Sequence, residues 1–198
     1  MAPDVICFSR KGFRLRLKRG KGHAARGGAL RHPREAKVML KQAAALCGFV
    51  LLSFVAPTVS AVLSVTGPGD WYQALEKPWF NPPNWIFGPV WTVLYVLMGV
   101  AAWFVWRHGS GRILAWALGL FLLQLILNAA WTPLFFGMHR PGWAFVDIVL
   151  LWGVLAATLV VFYRVSGTAA SLLIPYWLWV GFATVLNGTI WWLNRFPA

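Results

Sequence analysis

Residues 113–135 read ILAWALGLFLLQLILNAAWTPLF, an uninterrupted run in which no side chain carries a charge. A bilayer core of about 30 Å is crossed by roughly 20 apolar residues in a helix, so this run predicts a transmembrane span. Its polar residues Gln124 and Asn128 are four positions apart, and Trp131 follows three positions later. This spacing places all three on one helical face, which predicts that the face points toward other helices rather than toward lipid.

Four more runs of this kind flank the first, and they cover residues 42–63, 85–106, 142–163 and 170–193. Hydrophobic residues make up 59% of the 198 residues and charged residues only 12%, a balance that is typical of integral membrane proteins. We therefore predict an all-α fold, in which residues 42–193 form a bundle of five transmembrane helices. The cysteines, Cys7 and Cys47, suggest neither a disulfide framework nor a metal site.

The basic residues are concentrated before the first span. Twelve of the 18 Lys and Arg residues precede Gln42, so residues 1–41 carry a net charge of +10 and the other 157 residues only +3. This Gly- and Arg-rich segment shows no clean apolar periodicity, and we predict that it is a disordered tail. Four interpretations stay open: an arm on anionic lipid headgroups, a nucleic-acid-binding tail, a mitochondrial transit peptide, and a stretch upstream of a true start at Met39. Since the charge is confined to the tail, nucleic acid is not an expected partner of the bundle.

The placement of Lys and Arg also predicts the orientation of the chain, because these residues accumulate in cytoplasmic loops. With the N-terminus in the cytoplasm, fifteen basic residues lie inside and three, Lys77, Arg140 and Arg195, lie outside. We therefore predict a cytoplasmic N-terminus. A true start at Met39 would reduce the difference to four against three.

Aromatic, small and polar residues share faces on the other spans as well. Asp147 is the only acidic residue in any predicted span, and it follows Trp143 by four positions. An ionisable group at that depth is a candidate functional residue, although it can also join helices by a hydrogen bond. Four tryptophans each share a face with small or polar residues, which predicts one pocket for a flat ligand: Trp91, Trp131, Trp143 and Trp179. The alternative is that the tryptophans form ordinary interfacial belts.

Four segments of the chain carry a resemblance to a known family. They are WYQALEKPWFNPPNWIFGPVWTVLYVLMG (71–99), LNAAWTPLFFG (127–137), GWAFVDI (142–148) and LLIPYWLWVGFATVLN (172–187). In this order and on these spans, they resemble the TspO/MBR family, the tryptophan-rich sensory proteins of bacteria and their mitochondrial relatives. The resemblance covers residues 42–193 and implies a five-helix bundle with an internal cavity, capped by the loop between the first two spans. It also implies a ligand pocket formed by Trp91, Tyr95, Asn128, Trp131, Trp143, Asp147, Trp179, Ala183 and Leu186.

The resemblance implies a membrane receptor or sensor that binds tetrapyrroles such as protoporphyrin IX or haem and that acts in tetrapyrrole or stress responses. It implies no obligatory cofactor. Two alternatives stay open: a transporter of porphyrin or another small amphipathic ligand, and a scaffold that acts through a partner protein. The chain would lie in the lipid of a bacterial cell envelope, or of a mitochondrial membrane if its source is eukaryotic. Ala115 and Gly119, four positions apart on the third span, permit the close helix contact of a homodimer.

On this resemblance, the loop before the second span is a lid. Its residues would be Trp71, Pro78, Trp79, Phe80, Pro82 and Pro83. Each proline fixes its own φ and restrains the preceding residue, so the prolines would stiffen the lid, while Trp79 and Phe80 would supply its apolar underside. A stiff lid loses little entropy when it closes over a ligand. The alternative is an interfacial loop anchored by tryptophans.

The sequence argues against sterol binding and ordinary catalysis. Gly188 and Thr189 stand where the sterol motif of the mitochondrial branch has tyrosines, so cholesterol is not an expected ligand. The candidate pocket has no nucleophile beside a base and no set of metal ligands, so no catalytic residue is assigned. The light-dependent porphyrin breakdown that the resemblance implies for some members would need a bound porphyrin, oxygen and an oxidisable ring such as Trp91 or Trp179.

Overall fold

The structure, a computed structural model, describes residues 32–63 and 70–195. Every element in these ranges is helical: α1 (His32–Leu63), α2 (Asp70–Ala74), α3 (Asn84–His108), α4 (Gly111–Thr132), a π-helical turn (Pro133–Gly137), α5 (Pro141–Val165) and α6 (Gly167–Asn194). Within the described ranges, five helices are long and apolar enough to cross a bilayer, namely α1, α3, α4 with its π-helical turn, α5 and α6. The predicted all-α fold with five transmembrane helices is therefore confirmed.

The first helix begins earlier than the sequence predicts. The chain divides into two units, Met1–Val38 and Met39–Ala198, and the described end of the first unit already belongs to α1. Residues 32–41 are helical, and the side chains of residues 34–41 are exposed, so α1 extends beyond the predicted start of the first span at residue 42. The reason is local propensity, because Glu, Ala, Lys, Met and Leu all favour a helix even where no apolar stripe is present. The predictions for residues 1–31 lie outside the described residues.

The helices α3 to α6 run alternately up and down, because very short connections join α3 to α4 and α5 to α6. Within the second unit, α5 packs against both α4 and α6, and α6 also packs against α3. The start of α3, the end of α4, the start of α5 and the end of α6 therefore meet at one end of the bundle. The short helix α2 lies at this end.

The packed core fills the half of the bundle that is remote from α2. Its buried side chains include Met98, Ala101, Ala102 and Val105 of α3, Phe121 of α4, Leu155 and Phe162 of α5, and Leu173 of α6. Alanine residues at these positions let the helix backbones approach closely, which drives association in lipid, where helices gain no hydrophobic energy from each other. Other apolar side chains, such as Ile126 and Leu150, are more than half exposed at the bundle surface and face lipid.

The helix α1 joins the bundle through a very close crossing with α3. A Cβ atom added to Gly99 would lie only 2.5 Å from the Cα atom of Val50, so only glycine fits at this point. Nearer its end, α1 is tied to α4 by Ser60, whose hydroxyl donates a hydrogen bond of 2.9 Å to the carbonyl of Ala129. These contacts hold α1 against α3 and α4.

Candidate ligand cavity

Two adjoining cavities lie inside the bundle formed by the described residues. Cavity 1, of about 280 Å³, lies next to α2 and is lined by Tyr72 together with residues of α3, α4, the π-helical turn and α6. Cavity 2, of about 310 Å³, lies deeper and is lined by residues of all five spans. The residues that line both are Phe87, Trp91, Trp131, Thr132 and Ala183. The cavities therefore share a wall that is largely aromatic.

The structure places most of the candidate pocket residues at these walls. Trp91, Trp131 and Ala183 line both cavities, Tyr95, Asn128 and Trp179 line cavity 2, and Leu186 lines cavity 1. These residues belong to α3, α4 and α6. The helical faces that were identified from polar, small and aromatic spacing on these three helices therefore converge.

The two candidate residues on α5 occupy different positions from those predicted. Trp143 is 62% exposed and lines neither cavity, so the structure does not place it at the walls where the sequence predicts it. It lies in the first turn of α5, where an indole ring is stabilised at the boundary between lipid and water. Asp147 is buried, but the α5 residues that line cavity 2 are Ile148 and Leu151. Among the described residues, the Oδ2 atom of Asp147 has no hydrogen-bond partner.

A chain of hydrogen bonds closes the floor of cavity 2. The Tyr95 hydroxyl donates to Oδ1 of Asn128 at 2.8 Å, and Nδ2 of Asn128 donates to the Tyr176 hydroxyl at 3.0 Å. The Tyr176 hydroxyl donates in turn to Oε1 of Gln124 at 3.0 Å. All four side chains are buried. Since hydrocarbon offers no alternative partners, the network ties α3, α4 and α6 together where the cavity ends and the packed core begins.

A second polar contact joins α4 and α6 beside cavity 1. Nε1 of Trp131 donates to Oδ1 of Asn187 at 2.9 Å, and Nδ2 of Asn187 donates to the carbonyl of Pro141 at 2.9 Å. The Trp131 ring is also stacked on Phe135, with ring centroids 5.1 Å apart. The indole N–H group of Trp131 is therefore already satisfied, and its ring forms a fixed part of the wall.

Trp179 differs from Trp131, because its polar atom is free. Its Nε1 atom is buried and has no hydrogen-bond partner within the described ranges, while the residue lines cavity 2. Its ring meets Phe87 edge to face, with centroids 5.9 Å apart. On α3, Trp91 and Tyr95 stack with centroids 5.4 Å apart and an interplanar angle of 26°. The walls thus offer flat aromatic surfaces, which suit a planar ligand.

The segment 70–83, which we call the lid, contributes Tyr72 to cavity 1. Tyr72 is buried, with its ring 5.4 Å from that of Phe136, and its hydroxyl donates a long hydrogen bond of 3.4 Å to Oδ1 of Asn81. Burial raises the pKa of the Tyr72 hydroxyl above its ordinary value, and the hydrogen bond with Asn81 lowers it by less. The group is therefore neutral at physiological pH.

The predicted underside of the lid needs a correction. Trp79 is 95% exposed, so it does not face the cavity. Its neighbour Phe80 does pack inward, with its ring 6.3 Å from that of Phe182 on α6. Trp71 stacks on His139 in the connection before α5, with centroids 4.3 Å apart. Consecutive residues of one turn project in different directions, and the sequence does not reveal which of them points inward.

The prolines of the lid frame a tight turn. The Asn81 N–H group donates to the carbonyl of Pro78 at 3.0 Å, and Nδ2 of Asn81 donates to the carbonyl of Pro82 at 3.2 Å. Pro83 directly precedes α3. These bonds hold the chain in one conformation between the two ends of the turn.

Sequence reasoning missed several cavity residues. Phe135 and Phe136 line cavity 1 from the π-helical turn, and such turns change which side chains face inward. Ser60 lines cavity 2 from α1. In composition these residues do not differ from their lipid-facing neighbours. Asn187, a polar residue inside a predicted span, is the signal that could have indicated cavity 1.

Comparison with known proteins identifies the family. The sequence model of the TspO/MBR family matches residues 49–193. The chain is 45% identical to the translocator protein of Sus scrofa over 150 residues, which are 73% of this chain and 86% of that protein. It is 47% identical to the translocator protein of Homo sapiens over 123 residues, or 61% and 73% of the two chains. It is 46% identical to the tryptophan-rich protein TspO of Chlorobaculum tepidum over 132 residues, which are 64% of this chain and 82% of that protein.

The matched region runs from α1 to the end of α6 and includes every residue that lines the two cavities. Together with the five apolar helices, it identifies an integral membrane protein. The resemblance that the four sequence segments carry is therefore confirmed. The chain belongs to the TspO/MBR family.

Proposed function

We propose that this chain is a membrane receptor or sensor that binds a planar tetrapyrrole such as protoporphyrin IX in the two adjoining cavities. Relatives carry the names translocator protein and tryptophan-rich sensory protein, and family membership supports a receptor or sensor role. The observation that carries the proposal is the closed floor, since aromatic walls lead from the lid to a hydrogen-bonded end. A hollow with one closed end retains a ligand.

The walls suit a broad, flat and mostly apolar guest. The volumes of about 280 and 310 Å³ lie near the lower end of the range of roughly 300–1,000 Å³ for ligand sites. A tetrapyrrole would therefore occupy both cavities and lie along their shared wall. The stacked pair of Trp91 and Tyr95 offers a face for ring stacking, and Trp179 adds a further aromatic ring to the wall of cavity 2.

The carboxylate groups of a porphyrin need water or a cation, because an unpaired charge is costly in an apolar site. At the lid, the Nζ atom of Lys77 lies 4.7 Å from the ring centroid of Tyr72, which lines cavity 1. The floor of cavity 2 instead presents the hydroxyl of Tyr95 and the amide of Asn128. The lid thus carries a cation, whereas the floor carries uncharged groups that are already bonded to each other. This difference favours a guest whose carboxylates point to the lid and whose apolar edge points to the floor.

A receptor fits these features better than a transporter does. A path through the membrane would have to continue beyond the Tyr95–Asn128–Tyr176 network. On that side Met98 and Ala102 are completely buried, within a core that spans α3 to α6. Passage would require both the network and this core to separate.

A binding titration tests the proposal. Protoporphyrin IX added to the purified protein in lipid nanodiscs should quench tryptophan fluorescence to a saturating level. Ala183→Phe would put a ring into the wall that both cavities share, and it should weaken the affinity by about tenfold or more, because overpacking a filled site is costly. Val185→Phe, at a position that is 60% exposed on the same helix, is the matched control and should leave the affinity unchanged. Equal affinities for both variants and the parent would show that tetrapyrroles do not bind in these cavities.

A further inference from the structure

The lid is braced internally by hydrogen bonds between its two halves. The Tyr72 hydroxyl in α2 donates to Oδ1 of Asn81 in the proline turn. Lys77 Nζ donates to the carbonyl of Gln73 at 3.1 Å and to that of Leu75 at 2.9 Å. Since these bonds connect the start, the middle and the end of the segment, the lid moves as one piece.

The contacts between the lid and α6 are of two kinds. On the underside, the ring of Phe80 packs against Phe182, and such apolar contacts are not directional. At the rim, Asn194, the last residue of α6, forms hydrogen bonds with both the backbone N–H and the backbone carbonyl of Glu76. Its Oδ1 atom accepts from the Glu76 N–H group at 3.0 Å, and its Nδ2 atom donates to the Glu76 carbonyl at 3.0 Å.

The Asn194 side chain is itself held in place, because Nδ2 also donates to the carbonyl of Ile190 one turn earlier, at 2.8 Å. A carboxamide can accept from the N–H group and donate to the carbonyl of the same residue, whereas an aspartate lacks the donor and an alanine lacks both groups. The contact therefore depends on the identity of this residue. Its position at the exposed rim means that water competes for both bonds, so each contributes only modestly to stability.

We propose that Asn194 is a latch, which holds the lid closed over cavity 1 through its paired hydrogen bonds with Glu76. When the latch opens, the far end of the lid is still held by Trp71, which stacks on His139 and packs edge to face on Phe135. The lid then pivots about this aromatic contact and admits solutes to cavity 1 from the membrane surface. The latch does not depend on which ligand the cavity takes.

Thiol labelling tests the latch without any ligand. In a protein with Cys7 and Cys47 replaced by serine, Leu186→Cys places a thiol in the wall of cavity 1. A water-soluble maleimide reaches it only when the lid is open, so the labelling rate in nanodiscs reports the open population. Asn194→Ala should raise this rate by about tenfold, because two modest hydrogen bonds are lost. Thr189→Ala is the matched control and should not change it, because the Thr189 hydroxyl bonds only the carbonyl of Val185 in its own helix.

A second variant and a second measurement complete the test. Asn194→Asp keeps an acceptor for the Glu76 N–H group but loses the donor, so its labelling rate should lie between those of the parent and Asn194→Ala. Hydrogen exchange of the lid amides should accelerate in the same order. If neither Asn194 variant exceeds Thr189→Ala in labelling or in exchange, the latch is overturned. Because no porphyrin is present, this result would leave tetrapyrrole binding untouched.

Discussion

The hydroxyl group of Tyr95 on α3 donates a hydrogen bond of 2.8 Å to Oδ1 of Asn128 on α4, and this bond marks the boundary between the cavities and the core. On one side, Trp91 and Trp131 line open space. On the other side, Met98 is completely buried. Because lipid cannot replace the partners of buried polar groups, this boundary both fixes the helices and ends cavity 2.

Asn128→Leu should destabilise the bundle, because it leaves the hydroxyls of Tyr95 and Tyr176 without their central partner. The expected loss is about 1–3 kcal/mol, measured by thermal unfolding in detergent. Thr92→Val is the control, since the exposed Thr92 hydroxyl bonds only the carbonyl of Gly88 in its own helix. Its effect on the free energy of unfolding should stay within about 0.5 kcal/mol. Equal melting temperatures for the two variants would show that the network does not hold the helices.

Trp179→Phe should weaken protoporphyrin IX binding by about fivefold, because it replaces the indole in the wall of cavity 2 with a smaller ring and loses roughly 1 kcal/mol of aromatic contact. Trp143→Phe should leave the affinity unchanged, because Trp143 is 62% exposed and lines neither cavity. The change in porphyrin absorption on binding is the readout, since it does not depend on the number of tryptophans. A loss with Trp143→Phe that matches the loss with Trp179→Phe would contradict the assignment of the two rings.

Gly99→Ala should destabilise the protein by about 1–3 kcal/mol, because an added methyl group would push α1 and α3 apart at a tightly packed crossing. Gly119→Ala is the matched change on another span, where a new Cβ atom would meet nothing within 4 Å. Its effect should be neutral or slightly stabilising, since alanine favours a helix more than glycine does. Unfolding in the same detergent compares the two, and similar stabilities would mean that the crossing of α1 and α3 is looser than described.

Phe80→Ser should accelerate hydrogen exchange of the lid amides, because it removes the ring that packs on Phe182. Trp79→Ser should not, since Trp79 is 95% exposed and contributes little to the attachment of the lid. Both variants remove an aromatic ring from the same turn, so they control for each other. Faster exchange in Trp79→Ser than in Phe80→Ser would reverse the inward and outward assignments of these residues.

The fold was accessible from the sequence because the bilayer imposes a simple requirement on length and polarity. Five long apolar runs predicted five spans, and they lie in α1, α3, α4 with its π-helical turn, α5 and α6. The start of α1 was not accessible in this way. Residues 32–41 are helical without an apolar stripe, so only their intrinsic propensity favours the helix.

The candidate site was accessible only where a polar residue marked the inner face of a helix. Gln124 and Asn128 identified the inward face of α4, and both lie in the buried network. On α5, the pattern of Trp143 and Asp147 was misleading, because an indole at the interface looks the same as an indole in a cavity. The phenylalanines of the π-helical turn gave no signal, since their orientation depends on a local change of helix type.

The sequence alone therefore determined the membrane class, the number of spans, the family and the inward faces of α3, α4 and α6. Tertiary structure decided which of two neighbouring rings points inward, as with Trp79 and Phe80, and where Asn194 meets the lid. The physical reason is that lipid and protein interior are both apolar. Hydropathy separates each of them from water, but only the packing of one helix against another separates them from each other.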